Sequence, residues 1–133
     1  MFLSKLSLKQ KKAFLDACLH IMRADGTIAR VELDLVEDFC SEMNIKNKAQ
    51  AEKTYDAAIV ELNAVSTNVQ RKEILFELTR LVYADNVINP REEQMIKFAI
   101  DVFKIPALDY AKLVSLAKDY ARVNRDINAY IKK

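Results

Sequence analysis

Apolar residues recur at intervals of three and four positions along most of this chain, which is the spacing of one face of an α-helix. The stripes place helices from Ser7 to a break at Asp25, from about Glu32 to Met43, from Ala49 to about Val65, from Val69 to a break at Asp85, from Asn89 to Phe103, and beyond Pro106, where residues 124–126 could divide off a short last helix. The pattern therefore predicts an all-α protein of six to seven helices.

Residues that commonly cap helices stand at several of the predicted starts. Ser7 with Gln10 fits a capping box, in which the side chain of each residue accepts a hydrogen bond from the backbone of the other. Asn89 stands at the N-cap position of the fifth helix, and Asn47 resembles a cap for the helix expected from Ala49. These signals fix where the chain should enter its helices.

An internal repeat emerges when the sequence is shifted by sixty positions, which aligns ADGTIARVE at residues 24–32 with ADNVINPRE at residues 84–92. The same register also pairs Gln10 with Gln70, Lys12 with Lys72, Leu15 with Leu75, and Ile45 with Ile105. We interpret residues 1–133 as a single domain with a repeat over residues 8–45 and 68–105. Two helix hairpins joined by the third helix should then be related by an approximate twofold axis.

The turn inside each repeat carries Gly26 in the first copy and Asn86 in the second. These two residue types enter the left-handed backbone region most readily, so both turns are expected to follow one backbone path.

Composition supports a helical and reduced protein. The chain has 133 residues, 51% of them hydrophobic and 30% charged, with one Gly and two Pro. Cys18 and Cys40 are too few for a disulfide scaffold and lack metal-binding spacing, which favours a cytoplasmic protein.

The formal net charge is +2 and basic residues are scattered, so no nucleic-acid partner is expected. Lysines interrupt the opening apolar stretch, so membrane contact should be peripheral at most.

The acidic residues of the two turns suggest a cation site. If Asp25 takes the fifth position of an EF-hand loop, Gly26 and Glu32 take the sixth and twelfth, and Asp85 with Glu92 repeat the arrangement. The first and third ligand positions are not matched, so each turn resembles only the second half of such a loop. We expect weak binding of a divalent cation, Ca²⁺, Mg²⁺, Mn²⁺ or Zn²⁺, on the order of 10⁻³ M for one turn, and tighter binding if the twofold axis brings the four carboxylates together on one ion.

Two other interpretations of the acidic residues stay open. The glutamates could cap their helices at the third helical position, and the aspartates could bond backbone amides within the turns. The chain would then be a structural module for a protein partner, with Glu37 and Asp38 on the acidic outer face of the second helix as candidate contacts. No serine lies in a GxSxG elbow, and one histidine is too few for an HExxH site, so an enzyme is not expected.

The sequences ADGTIARVE and ADNVINPRE resemble the repeated ADGxI and downstream Glu signature of the tellurite-resistance TerB family, also found in the N-terminal region of the membrane co-chaperone DjlA. The resemblance implies a bacterial helical domain with two lobes, acting with protein partners in stress and chemical-resistance systems. It also implies an acidic patch that holds a divalent metal, with Asp25, Glu32, Asp85 and Glu92 as ligands. The second copy departs from the signature where Asn86 replaces Gly.

Overall fold

The computed structural model describes residues 1–24, 26–85, 87 and 89–133. These residues contain no β-strand and form six α-helices, preceded by a short 3-10 turn at Leu3–Lys5. The helices are α1 (Leu8–Met22), α2 (Arg30–Met43), α3 (Tyr55–Val65), α4 (Asn68–Val82), α5 (Pro90–Phe103) and α6 (Ala107–Ile131). The all-α prediction is confirmed. Within the described ranges, none of the helices combines the length and apolar character needed to cross a bilayer.

Each half of the chain packs three helices together. The most extensive contacts join α1 to α3 and α4 to α6, while α1 packs on α2 and α4 packs on α5. The third helix of each half therefore covers the first, and α3 is more than the connector between two hairpins. The apolar core runs through both halves, with Phe14 and Phe39 in edge-to-face contact at 5.3 Å between ring centroids.

The sixty-residue repeat is visible in the backbone. Helix α4 begins and ends sixty positions after α1, and α5 begins and ends sixty positions after α2. Each hairpin ends on a left-handed residue, Asn44 with φ 56° and Lys104 with φ 57°. Near the start of α1, the side-chain amide of Gln10 donates to the side-chain oxygen of its repeat equivalent Gln70 at 3.1 Å. This contact between equivalent residues agrees with the approximate twofold axis that the repeat predicts.

The start of α3 differs from its predicted position. The helix begins at Tyr55, where the Thr54 hydroxyl accepts a hydrogen bond from Ala57 N–H, and not at Ala49 behind Asn47. Residues 48–53 are held instead by α1. The buried Asp16 carboxylate accepts hydrogen bonds from the amides of Glu52 and Lys53 at 3.1 and 3.2 Å. Tertiary hydrogen bonds to one buried acid thus override good local helix propensity.

The end of the chain is one continuous helix. Residues 124–126 do not divide it, and α6 runs for 25 residues from Ala107 to Ile131. Arg122 and Asp126, one turn apart, form an ion pair at 3.4 Å across the position of the expected break.

The acidic turns

The two acidic turns occupy matched positions, between α1 and α2 and between α4 and α5. Gly26 has φ +80°, so the first turn does use the left-handed region that its glycine indicated. Asp25 and Asn86 lie outside the described residues, so the structure does not place this predicted ligand and this predicted turn former. The described part of the predicted site consists of Gly26, Glu32, Asp85 and Glu92.

Glu32 and Glu92 are both buried, with 4% and 5% of their surface exposed. Each is the third residue of its helix, because α2 begins at Arg30 and α5 begins at Pro90. One Glu32 carboxylate oxygen lies 3.4 Å from the amide nitrogen of Ala29, which precedes α2. This contact is the capping geometry that the sequence left open for Glu32, and it uses one of the two carboxylate oxygens.

The second turn is organised by side chains that bond its backbone. Asp85 accepts a hydrogen bond from Val87 N–H at 3.0 Å, as expected of an aspartate that shapes a turn. Asn89 caps α5, and its side-chain oxygen accepts from the amides of Arg91 and Glu92 at 2.9 and 3.2 Å. The predicted start of the fifth helix is therefore confirmed. One Asp85 oxygen is engaged in the turn, as is one oxygen of Glu32 in the first copy.

An arginine links the two turns. Arg91, on the first turn of α5, donates from Nη1 to the Ala24 carbonyl at 3.2 Å. The start of the first turn and the start of α5 therefore lie within reach of one side chain. A guanidinium at this place repels a divalent cation that approaches either turn, and its effect is strongest for an ion between them.

The surface next to Ala24 is a basic hollow with an aromatic wall. A cavity of about 550 Å³ is bordered by His20, Arg23, Arg91, Tyr55 and Phe98, among others. His20 Nε2 lies 2.7 Å from the Lys53 carbonyl, and Arg23 donates to the Ala49 carbonyl. These side chains hold the segment before α3 against α1, so His20 has a structural role in this surface.

The sulfur atoms are poor candidates for metal ligands. Cys18 and Cys40 are both buried. Burial raises the pKa of Cys18 well above its ordinary value, and burial together with the nearby Glu37 carboxylate raises the pKa of Cys40 to about 11. A metal-binding cysteine must be a thiolate, and these thiols stay protonated near neutral pH. Any ion at the turns would therefore be bound through oxygen atoms.

The donor set fits oxygen-seeking cations only in part. Among the described residues, no group of three or more His, Cys, Asp and Glu side chains is close enough to hold a metal ion. Carboxylate and carbonyl oxygens are nevertheless the donors that calcium, magnesium and manganese prefer, and water can complete their coordination. A loose site with few protein ligands is compatible with these residues, whereas a closed zinc site is not.

The acidic outer face of α2 lies apart from the turn residues along the helix. Glu37 and Asp38 are exposed, and Glu37 accepts a hydrogen bond from the Asn47 side chain at 2.6 Å. Asp38 and Asp34 border a groove of about 200 Å³ whose opposite wall is α6, with Arg125 on that wall. The exposed Glu37 and Asp38 carboxylates are therefore accessible to a partner on this side of the molecule.

Two buried acids were missed by the sequence analysis. Asp16 is 1% exposed and Glu77 is fully buried. Glu77 forms an ion pair with Arg80 at 2.8 Å, and Asp16 forms one with Lys48 at 2.6 Å. Their positions within the apolar stripes of α1 and α4 were the available signal, because a charged residue there must be buried with a partner.

Comparison with known proteins gives no relative for this chain. No family model, no curated protein and no solved structure matches it.

Proposed function

We propose that the chain is a non-catalytic TerB-like domain that binds one divalent cation at each acidic turn and senses its concentration. The carrying observation is the matched burial of Glu32 and Glu92 at the third position of two repeat-related helices. Each glutamate stands where its turn joins the following helix, so its carboxylate can offer an oxygen atom to a cation in that turn. The same geometry in both copies supports one site at each turn.

The proposed ligands are those of the sequence signature, Asp25 with Glu32 and Asp85 with Glu92. The Thr27 and Val87 carbonyls would add oxygen donors, and water would complete the shell. This chemistry favours Ca²⁺, Mg²⁺ or Mn²⁺ over Zn²⁺. The tellurite-resistance and stress context, a cytoplasmic location and the absence of catalysis are parts of the same proposal, supported by the resemblance of the two turn sequences.

Paramagnetic broadening by Mn²⁺ in amide NMR spectra tests where the ion binds. We expect the signals of residues near Gly26 and near Val87 to broaden first, with Glu32→Gln removing the first set and Glu92→Gln the second. Arg91→Gln should tighten binding roughly fivefold, because it removes a positive charge near both sites. The matched control Glu37→Gln should change nothing. Broadening centred on the outer face of α2 would contradict the assignment.

A structural interaction module is the second candidate, and the exposure of Glu37 and Asp38 beside the groove favours it. In that case a basic helix would bind along α2. Fluorescence anisotropy with a lysine- and arginine-rich helical peptide tests it. Binding that is lost in the Glu37→Lys and Asp38→Lys double variant, and is unchanged by a chelator, would support this function. A peptide that binds both proteins equally would rule it out.

A further inference from the structure

Helix α6 is longer than the part of the protein that it packs on. At 25 residues it spans about 37 Å, whereas α4, its main contact, has 15 residues and spans about 22 Å. Ala117 is its one fully buried residue within the described chain, and residues 125–133 are all exposed. The second half of α6 therefore offers a helix surface that this chain does not cover.

That surface carries a regular apolar stripe. It runs through Leu116, Tyr120, Val123, Ile127 and Tyr130, at intervals of four, three, four and three. Leu116, Val123 and Ile127 are 44%, 42% and 49% exposed, and Tyr130 is 80% exposed. Alternation of three and four is the seam of a coiled coil, in which a second helix fills the stripe.

The residues beside the stripe favour a second helix, and not a lipid surface, as the partner that covers it. Lys112, Asp119, Asp126 and Lys133 flank it on one side and Asn124 flanks it on the other. Membrane-surface helices have a broad apolar face bordered by cations, whereas this stripe is narrow and its charged flank has no net positive charge.

We propose that α6 pairs with α6 of a second copy of this chain in an antiparallel coiled coil. In the register that overlaps the uncovered halves, Tyr120 faces the partner's Tyr130 and Val123 faces the partner's Ile127. The twofold axis repeats both contacts, so four apolar layers form.

The flanking charges favour this register over the next one toward the amino-terminal end. Asp119 lies opposite the partner's Lys133, and the twofold axis makes this attraction twice. Asp126 lies opposite the partner's Asp126, and this repulsion occurs once. Arg122 on the same helix pairs with Asp126 at 3.4 Å and so reduces the repulsion. A shift of one heptad toward the amino-terminal end places Lys112 opposite the partner's Lys133 and Asp119 opposite the partner's Asp126. Those contacts are all repulsive.

A parallel pair gains nothing from the same residues. Each flanking charge would then face a neutral side chain of the partner: Lys112 meets Ala117, Asp119 meets Asn124, and Asp126 meets Ile131. Charge complementarity therefore favours the antiparallel arrangement, which alone provides opposite charges across the seam.

An apolar groove continues the stripe onto the body of the protein. It has a volume of about 370 Å³ and is bordered by Phe2, Phe76, Leu113, Leu116 and Tyr120, among others. Because Tyr120 is both the last wall of the groove and the first layer of the proposed pair, the partner's Tyr130 ring comes to lie at its mouth. The pairing therefore covers apolar surface on both the helix and the body.

Sedimentation equilibrium in the presence of a chelator tests the pairing separately from cation binding. We expect a mass of about twice the 15.3 kDa of one chain. Ile127→Asp should weaken the dimer by about 100-fold or more, because it places a carboxylate in two apolar layers. The control Asn128→Asp adds the same charge one residue away and off the seam, so it should leave the dimer intact.

Charge exchange tests the register. Asp119→Lys and Lys133→Asp should each weaken the dimer, by about tenfold, and the double variant should restore it. A wild-type protein that sediments as a monomer at all concentrations would overturn the proposal. A dimer that survives Ile127→Asp, or a double variant that stays as weak as the single variants, would overturn it as well.

Discussion

Replacing Arg80 with methionine should lower the free energy of unfolding by about 3 to 5 kcal/mol. The Arg80 guanidinium pairs with the fully buried Glu77 at 2.8 Å and has 11% of its side chain exposed. It also lies over the rings of Phe39 and Tyr120, 5.8 and 4.2 Å from their centroids. Glu77 also pairs with the Met1 ammonium at 2.9 Å, so the substitution would leave its carboxylate inside the core with one of these two cations removed. Urea denaturation followed by circular dichroism measures the loss.

Two comparisons separate burial of the charge from loss of packing. The double variant with Glu77→Gln and Arg80→Met should be more stable than Arg80→Met alone, because it removes a buried carboxylate that has lost its Arg80 partner. Arg122→Met breaks the exposed pair with Asp126 and should cost less than about 1 kcal/mol. Equal losses for Arg80→Met and Arg122→Met would mean that the buried pair contributes no more than a surface pair.

Replacing Asp16 with alanine should cost about 2 to 3 kcal/mol. The buried carboxylate accepts two backbone hydrogen bonds from residues 52 and 53 and pairs with Lys48 at 2.6 Å. Its loss would free the segment before α3 from α1, so we expect faster amide exchange at Glu52 and Lys53 as well as a lower denaturation midpoint. Hydrogen exchange measured by NMR distinguishes this local release from general destabilisation.

Asp34→Ala is the matched control for this prediction. Asp34 pairs with Arg30 at 3.1 Å, but the side chains are 62% and 87% exposed. We expect a change of less than about 1 kcal/mol, with unchanged exchange at Glu52 and Lys53. If Asp16→Ala gave no faster exchange there, the carboxylate would not be the anchor of that segment.

Most of the helical architecture could be predicted because it follows from short-range rules. Ser7 and Asn89 cap their helices as expected, since capping depends on residues within one turn. The start of α3 could not be predicted in the same way. Residues 49–54 are suited to a helix, and the carboxylate that holds them in another conformation comes from Asp16, more than thirty positions away. Local propensity carries no information about such a contact.

The site was predicted as a set of residues but not as an arrangement. The repeat identified Glu32 and Glu92 as equivalent, and their equal burial agrees with that equivalence. Their burial itself depends on how each hairpin packs, which the spacing does not specify. The hydrogen bond between Arg91 and the Ala24 carbonyl is likewise a contact between the two halves. It explains in physical terms why a bridging ion between the turns is disfavoured and why separate weak sites are proposed.

Thermal melting of the chelated protein with added Ca²⁺, Mg²⁺ or Mn²⁺ tests the central proposal most directly. For a dissociation constant on the order of 10⁻³ M at each turn, ion at ten times that concentration should stabilise the folded state by about 1.4 kcal/mol per turn, or about 2.8 kcal/mol for both. This raises the melting temperature by roughly 8 to 10 °C. The double variant Asp25→Asn with Asp85→Asn should lose this increase. If no ion raises the melting temperature and the double variant is merely less stable, the carboxylates only shape the turns and the cation proposal is wrong.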